Sequence, residues 1–173
     1  ALPISIDTVS KTPEVAMVVF SDMECPFCAR FENEVLHPIR TDVSVQTLFV
    51  YKHFPLSFHK DAYNWALESE CVRKNLWDKM FFEYIHMKYL MPDLSVYKLV
   101  SGLTEAQMNT CLEDTNLSQN ISDDQTLWAN MYNVSGTPTT LVINMKTYYY
   151  ETIVGAQSKE FVEAVIQTVK DHQ

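Results

Sequence analysis

Cys25-Pro26-Phe27-Cys28 is the stretch of this 173-residue chain whose residue types and spacing can do chemistry directly. Two cysteines that flank two residues lie one turn apart if they open a helix, within reach of a disulfide. The thiolate is the reactive form of cysteine. A helix entry stabilises it, because the first N–H groups are unpaired and carry the positive end of the helix dipole. Cys25, at the entry, is therefore expected to be the exchanging thiolate and Cys28 the resolving partner. Pro26 fits the first turn, where a missing N–H costs nothing. Such an exchange needs no cofactor, and none is expected.

Spacing weighs against two other uses of the pair. A structural zinc site needs four ligands, usually a second Cys-x-x-Cys or a close His pair. Here His53 and His59 are six positions apart and Cys71 and Cys111 stand alone, so no metal is expected. A plain staple also fits poorly, since a short Cys-x-x-Cys loop is strained and easily reduced.

The surrounding sequence supplies elements that would position the pair. Val15 to Phe20 is nearly all apolar and reads as a buried strand, followed by a turn at Ser21-Asp22-Met23-Glu24. A helix then runs from about Pro26 towards Leu36 and ends or kinks before Pro38. Val43 to Tyr51 alternates as a second strand. A helical block follows. Ser57 can cap a helix carrying Ala62, Trp65, Ala66 and Cys71. Leu76 to Tyr89 forms another, and Asp93 caps a short one ending near Gly102. Thr104-Glu105-Ala106-Gln107 matches a capping box, and a last helix spans about 117–132. Thr139 to Ile143 and Tyr148 to Val154 read as a hairpin ended by Gly155. Ser158 opens a final amphipathic helix. The order β-α-β, helices, β-β-α predicts an α/β fold.

Bulk properties narrow the function classes. The 47% hydrophobic and 20% charged residues are a globular mixture in a length that suits one domain. A formal charge of −9 repels phosphate backbones, so no nucleic-acid partner is expected. No apolar run is long enough to span a membrane. The start at Ala1-Leu2-Pro3, without Met, is what signal-peptide cleavage or trimming would leave.

Gly136-Thr137-Pro138-Thr139 is the second mark. If its X-Pro bond is cis, the Thr137 backbone turns outward at the start of a strand, where an extended peptide could pair with it. Taken alone, the sequence favours an ordinary trans turn, because cis forms are only about 5–6% of X-Pro bonds in folded proteins.

Three segments together resemble the DsbA-like branch of the thioredoxin superfamily. They are Val18-Val19-Phe20-Ser21-Asp22-Met23-Glu24-Cys25-Pro26-Phe27-Cys28, Lys52-His53-Phe54-Pro55-Leu56 with His59, and Gly136-Thr137-Pro138-Thr139. The resemblance covers nearly the whole chain. It implies an α/β thioredoxin fold with a helical insertion between the second and third core strands. A single unit over 1–173 would then have thioredoxin portions at about 1–56 and 133–173 and the insertion at about 57–132. It also implies cis geometry at Pro138, with Pro26, Phe27, Thr137 and Pro138 supporting the catalytic pair Cys25 and Cys28. Relatives often join two cysteines of the insertion, here Cys71 and Cys111; the alternative is two buried free thiols. Closing a loop of that length stabilises by roughly 4 kcal/mol at most.

Two positions depart from the family pattern. Val19 stands where thioredoxins and the best-known DsbA carry a buried acid, and Glu24 and Asp22 are expected to point elsewhere. Phe27 stands where the strongest oxidants have His, and cannot donate a hydrogen bond or charge to the thiolate. His53 and His59 read as structural. The resemblance implies an oxidase of unfolded or reduced exported polypeptides. It would be a monomer in the periplasm or another extracytoplasmic space, reoxidised by a membrane partner such as a DsbB-like protein. The same cysteines run in reverse give a reductase or isomerase, which the short segment before the first strand disfavours. A non-catalytic binding module would show a damaged motif.

Overall fold

The computed structural model describes residues 5–7, 12–42 and 44–172. Among these residues the strands form one five-stranded sheet in the order β1-β3-β2-β4-β5. The strands are β1 (Ser5–Asp7), β2 (Val15–Ser21), β3 (Thr47–His53), β4 (Thr139–Asn144) and β5 (Tyr150–Val154). β2 pairs parallel with β3, while β1, β4 and β5 run antiparallel to their neighbours. The sequence pattern did not reveal β1. The expected start of the second strand, Val43, lies outside the described residues, as does Ala1-Leu2-Pro3; the observed strand begins at Thr47.

The apolar run of β2 has a simple cause. Val15, Met17 and Val19 face one buried cluster with Phe31, Phe49, Tyr51 and Val142, while Val18 and Phe20 face another with Val50 and Leu141. A strand covered on both sides has no solvent face to mark with polar residues.

The active helix begins as α1 (Pro26–Phe31), widens into a π turn at Glu32–Leu36, and continues as α2 (His37–Thr41). Of the end or kink expected before Pro38, the end does not occur. Pro38 has no N–H to give and crowds the carbonyl four residues back. The wider turn absorbs this, with the His37 N–H bonded to the Glu32 carbonyl.

The insertion contains α3 (Ala62–Leu90), α4 (Val96–Ser101), α5 (Glu105–Leu112), α6 (Thr115–Asp123), a second π turn at Asp124–Trp128, and α7 (Ala129–Tyr132). α3 breaks at Trp77, whose φ of 76° is not helical, so it is two helical stretches as the sequence suggested. Three expected boundaries move. Ser57 does not cap α3, Ser95 rather than Asp93 precedes α4, and Asp114 caps α6. The capping box of Thr104 and Gln107 forms with both reciprocal bonds. α8 (Lys159–Asp171) closes the chain with the Ser158 hydroxyl on the Phe161 N–H. The hairpin's second strand starts later than the expected Tyr148: β5 begins at Tyr150, and exposed Tyr148, with a φ of 61°, and half-buried Tyr149 belong to the connection.

Buried polar contacts tie the insertion to the sheet. Lys52 of β3 meets Asp124 at 2.8 Å, and His53 meets Glu70 of α3 at 3.2 Å. The sulfurs of Cys71 on α3 and Cys111 on α5 are bonded, with their Cα atoms 5.8 Å apart.

Candidate active site

Sheet topology brings the two marked segments together. β2 and β4 are antiparallel neighbours, and Phe20 is opposite Thr139. The chain leaving β2 therefore meets the chain entering β4 at one end of the sheet. Cys25 follows the first and Thr137-Pro138 precedes the second. The Thr137–Pro138 peptide bond is cis, and the Cys25 thiol points to the Thr137 carbonyl at 3.7 Å.

The turn that carries Cys25 is pinned by two carboxylates. Buried Asp22 accepts from the Glu24 N–H at 2.7 Å and the Leu56 N–H at 2.7 Å, and its other contact is His59 Nδ1 at 2.8 Å. Glu24 reaches across to accept the Asp61 and Ala62 N–H groups, at 2.7 and 3.1 Å. Its carboxylate thus satisfies the open end of α3, the role expected of Ser57. Asp22 and Glu24 hold the loop and insertion against the cysteines, and neither directs its carboxylate to the sulfurs. His53 is occupied by Glu70 and Ser69.

Cys25 is the N-cap residue of α1, directly before Pro26, and both cysteines are thiols. The Cys25 pKa is lowered to about 5. The main cause is the Cys28 thiol, which donates to the Cys25 sulfur; the N–H groups of Cys28 and Phe27 and the Thr137 side chain add to it against the cost of burial. Cys28 is 1% exposed, and burial together with its bond to Cys25 pushes its thiol well up. The pair is thus polarised, with one ready thiolate and one retained proton. The Thr137 hydroxyl is buried without an ordinary hydrogen-bond partner, and its influence falls on the two sulfurs.

This polarity has a measurable consequence. A thiol whose folded pKa lies below its unfolded value stabilises the fold above the unfolded pKa and loses that contribution as pH falls through the folded one. The dithiol form should therefore gain stability relative to the disulfide form as pH rises from about 5 towards 9. Thermal unfolding of both forms across that range checks this; parallel curves would contradict it.

Two surfaces flank the pair. Phe27 is 59% exposed, with the Arg30 guanidinium 5.8 Å from its ring centre. On the other side a groove of about 370 Å³ runs from Met23, Cys25 and Pro26 to Trp65, Lys88 and Pro92 of the insertion. A separate cluster, Glu32, His37 and His86, gathers ligand-type side chains. Arg40 already occupies it, 3.0 Å from Glu32 and 3.2 Å from His37. The cysteine spacing gave no sign of Tyr51 and Tyr89, whose hydroxyls form a buried array with Ser21. They come from distant elements, and aromatic residues at those spacings read simply as core.

Comparison with known proteins agrees with this geometry. The family model described as Thioredoxin matches residues 10–167. No curated protein sequence matches the chain. Among solved structures, Pseudomonas aeruginosa DsbA2 superposes with a TM-score of 0.82 at 20% identity, covering 99% of this chain and 98% of its own. Bacillus subtilis BdbD gives 0.80 at 18%, covering 98% and 94%. Wolbachia pipientis α-DsbA1 gives 0.78 at 20%, covering 98% and 92%. At these identities the likeness is one of fold, and it includes the helical insertion.

Proposed function

The chain belongs to the thioredoxin family of thiol–disulfide oxidoreductases and has the fold of its DsbA-like members; we propose that it is an oxidase that introduces disulfides into reduced, exported polypeptides. The stabilised Cys25 thiolate beside the retained Cys28 proton carries this reading. A substrate thiolate attacks Cys25 of the disulfide form and expels Cys28 as a thiolate, which takes up a proton. A second substrate thiolate then attacks the substrate sulfur of the mixed disulfide. The substrate disulfide forms and Cys25 leaves with the electron pair. A group held as a thiolate near neutral pH is a good leaving group, so the electrons run from substrate to protein.

In this reading an extended substrate pairs with the backbone at Thr137, next to cis Pro138, and lays apolar residues on Phe27 and in the groove beneath Cys25. A membrane partner of the DsbB kind restores the disulfide, and the protein works as a monomer in the periplasm or a comparable extracytoplasmic space. The Cys71–Cys111 bond is a structural staple there, one that an oxidising compartment permits.

Phe27 sets the strength of the oxidant. It gives the thiolate no side-chain hydrogen bond, so Phe27→His should lower the Cys25 pKa and raise the potential. One pKa unit is about 1.4 kcal/mol, which corresponds to about 30 mV for a two-electron couple, so the shift should be tens of millivolts. The oxidised protein mixed with a reduced two-cysteine peptide tests the reading: the peptide should close stoichiometrically, and faster with Phe27→His. A peptide that stays reduced would favour the reductase direction.

A further inference from the structure

Turnover at the Cys25–Cys28 pair requires a second thiolate, on Cys28, where burial opposes it. Cys28 is expelled as a thiolate when substrate attacks, and must become one again when the pair closes. Buried Val19, at the position where a carboxylate could have assisted, offers no polar group.

A chain of buried hydroxyls from three elements lies behind Cys28 instead. Ser21 ends β2, Tyr51 lies in β3, and Tyr89 lies near the end of α3. Ser21 Oγ is 2.8 Å from Tyr89 Oη, and Tyr51 Oη is 3.4 Å from it. Tyr89 donates its one proton to the Asp22 carbonyl at 3.1 Å, so its oxygen is left to accept from Ser21 and Tyr51. In this structure the Ser21 hydroxyl is bonded to Tyr89, and its side chain is also among the groups that favour the Cys28 thiolate. Rotation about Cβ–Oγ would turn its O–H from Tyr89 towards the Cys28 sulfur. Burial, with the adjacent cysteine, keeps both phenols protonated, so the array donates hydrogen bonds and takes up no proton.

We propose that Ser21 is a catalytic residue that donates a hydrogen bond to Cys28 whenever its sulfur is a thiolate, and that Tyr89, backed by Tyr51, is the residue that positions Ser21. The proposal rests on disulfide exchange at Cys25–Cys28, and its test isolates the closing step. Methyl methanethiosulfonate at about pH 4, below the usual thiol range, thiomethylates Cys25 while Cys28 stays protonated. A jump to higher pH starts closure. Cys28 loses its proton to a solvent base and its thiolate attacks Cys25 Sγ. The Cys25–Cys28 bond forms, and methanethiolate leaves with the electrons of the broken S–S bond.

Ser21→Ala should close about tenfold more slowly than wild type at each pH, the low end of what a hydrogen bond to a charged group provides. Equivalently, its pH–rate profile should move up by about one unit. Tyr89→Phe should fall between the two, and Ser21→Thr, which keeps the hydroxyl, should stay close to wild type. Alkylation of Cys25 should be the same in all four. Wild-type closure by Ser21→Ala, or a Ser21→Thr protein as slow as Ser21→Ala, would overturn the proposal. Failure of this comparison is distinguishable from failure of the oxidase reading, because peptide oxidation by the wild-type protein does not depend on it.

Discussion

Cys28→Ser should turn the protein from a catalyst into a trap. Without the resolving sulfur, the mixed disulfide between Cys25 and a substrate cannot be reversed from within the active site. Covalent complexes should accumulate and turnover should fall to the uncatalysed level. Cys25→Ser should abolish turnover as well, yet trap nothing, because Cys28 is buried and holds its proton. Non-reducing electrophoresis followed by mass spectrometry reads both outcomes. Substrate adducts on Cys28 in the Cys25→Ser protein would reverse the assigned roles. The size of the effect follows from the chemistry: the two sulfurs form and break every bond of the exchange, while the remaining site residues adjust their pKa or hold a partner.

The second large effect concerns stability. Lys52→Met should destabilise the protein by about 3–5 kcal/mol at neutral pH, because it leaves the Asp124 carboxylate buried without its cation. The pair is 2.8 Å apart with side chains nearly inaccessible, and burial already raises the Asp124 pKa. An unpaired Asp124 should escape the cost by taking up a proton. A group whose folded pKa is raised loses stability as pH rises, so the deficit should shrink towards pH 5. The double variant Lys52→Met/Asp124→Leu should recover most of the loss, since a packed apolar pair replaces a buried ion pair at little cost. Urea unfolding at two pH values decides this; equal stability of Lys52→Met and wild type would show that the pair contributes nothing.

The parts of this molecule that were legible in the sequence were those that short-range chemistry enforces. β2 shows as an apolar run because both its faces are covered. The capping box at Thr104 shows because both its bonds are made within four residues. Cys-Pro-Phe-Cys shows because its spacing is itself the chemistry. What escaped depends on contacts across long stretches of chain. The N-terminus of α3 is satisfied by Glu24, 37 positions away, so no residue near Ser57 could announce it. Tyr89 reaches Ser21 across 68 positions, and a helical aromatic pattern looks the same whether or not its hydroxyl has a task. Pro38 was legible only in part for a related reason: the local rule disturbs an ordinary α-helix there, but does not say whether the chain ends the helix or widens it by a residue and continues.

The central claim is that the stabilised Cys25 thiolate makes the pair oxidising, with Phe27 limiting how strongly. Equilibrating the protein against graded mixtures of reduced and oxidised glutathione, and quantifying the Cys25–Cys28 disulfide by mass, tests it most directly. The potential should fall between about −270 mV, where thioredoxin lies, and about −120 mV, where the strongest oxidant of this fold lies. A potential at or below the thioredoxin value would contradict the claim and make the protein a reductant.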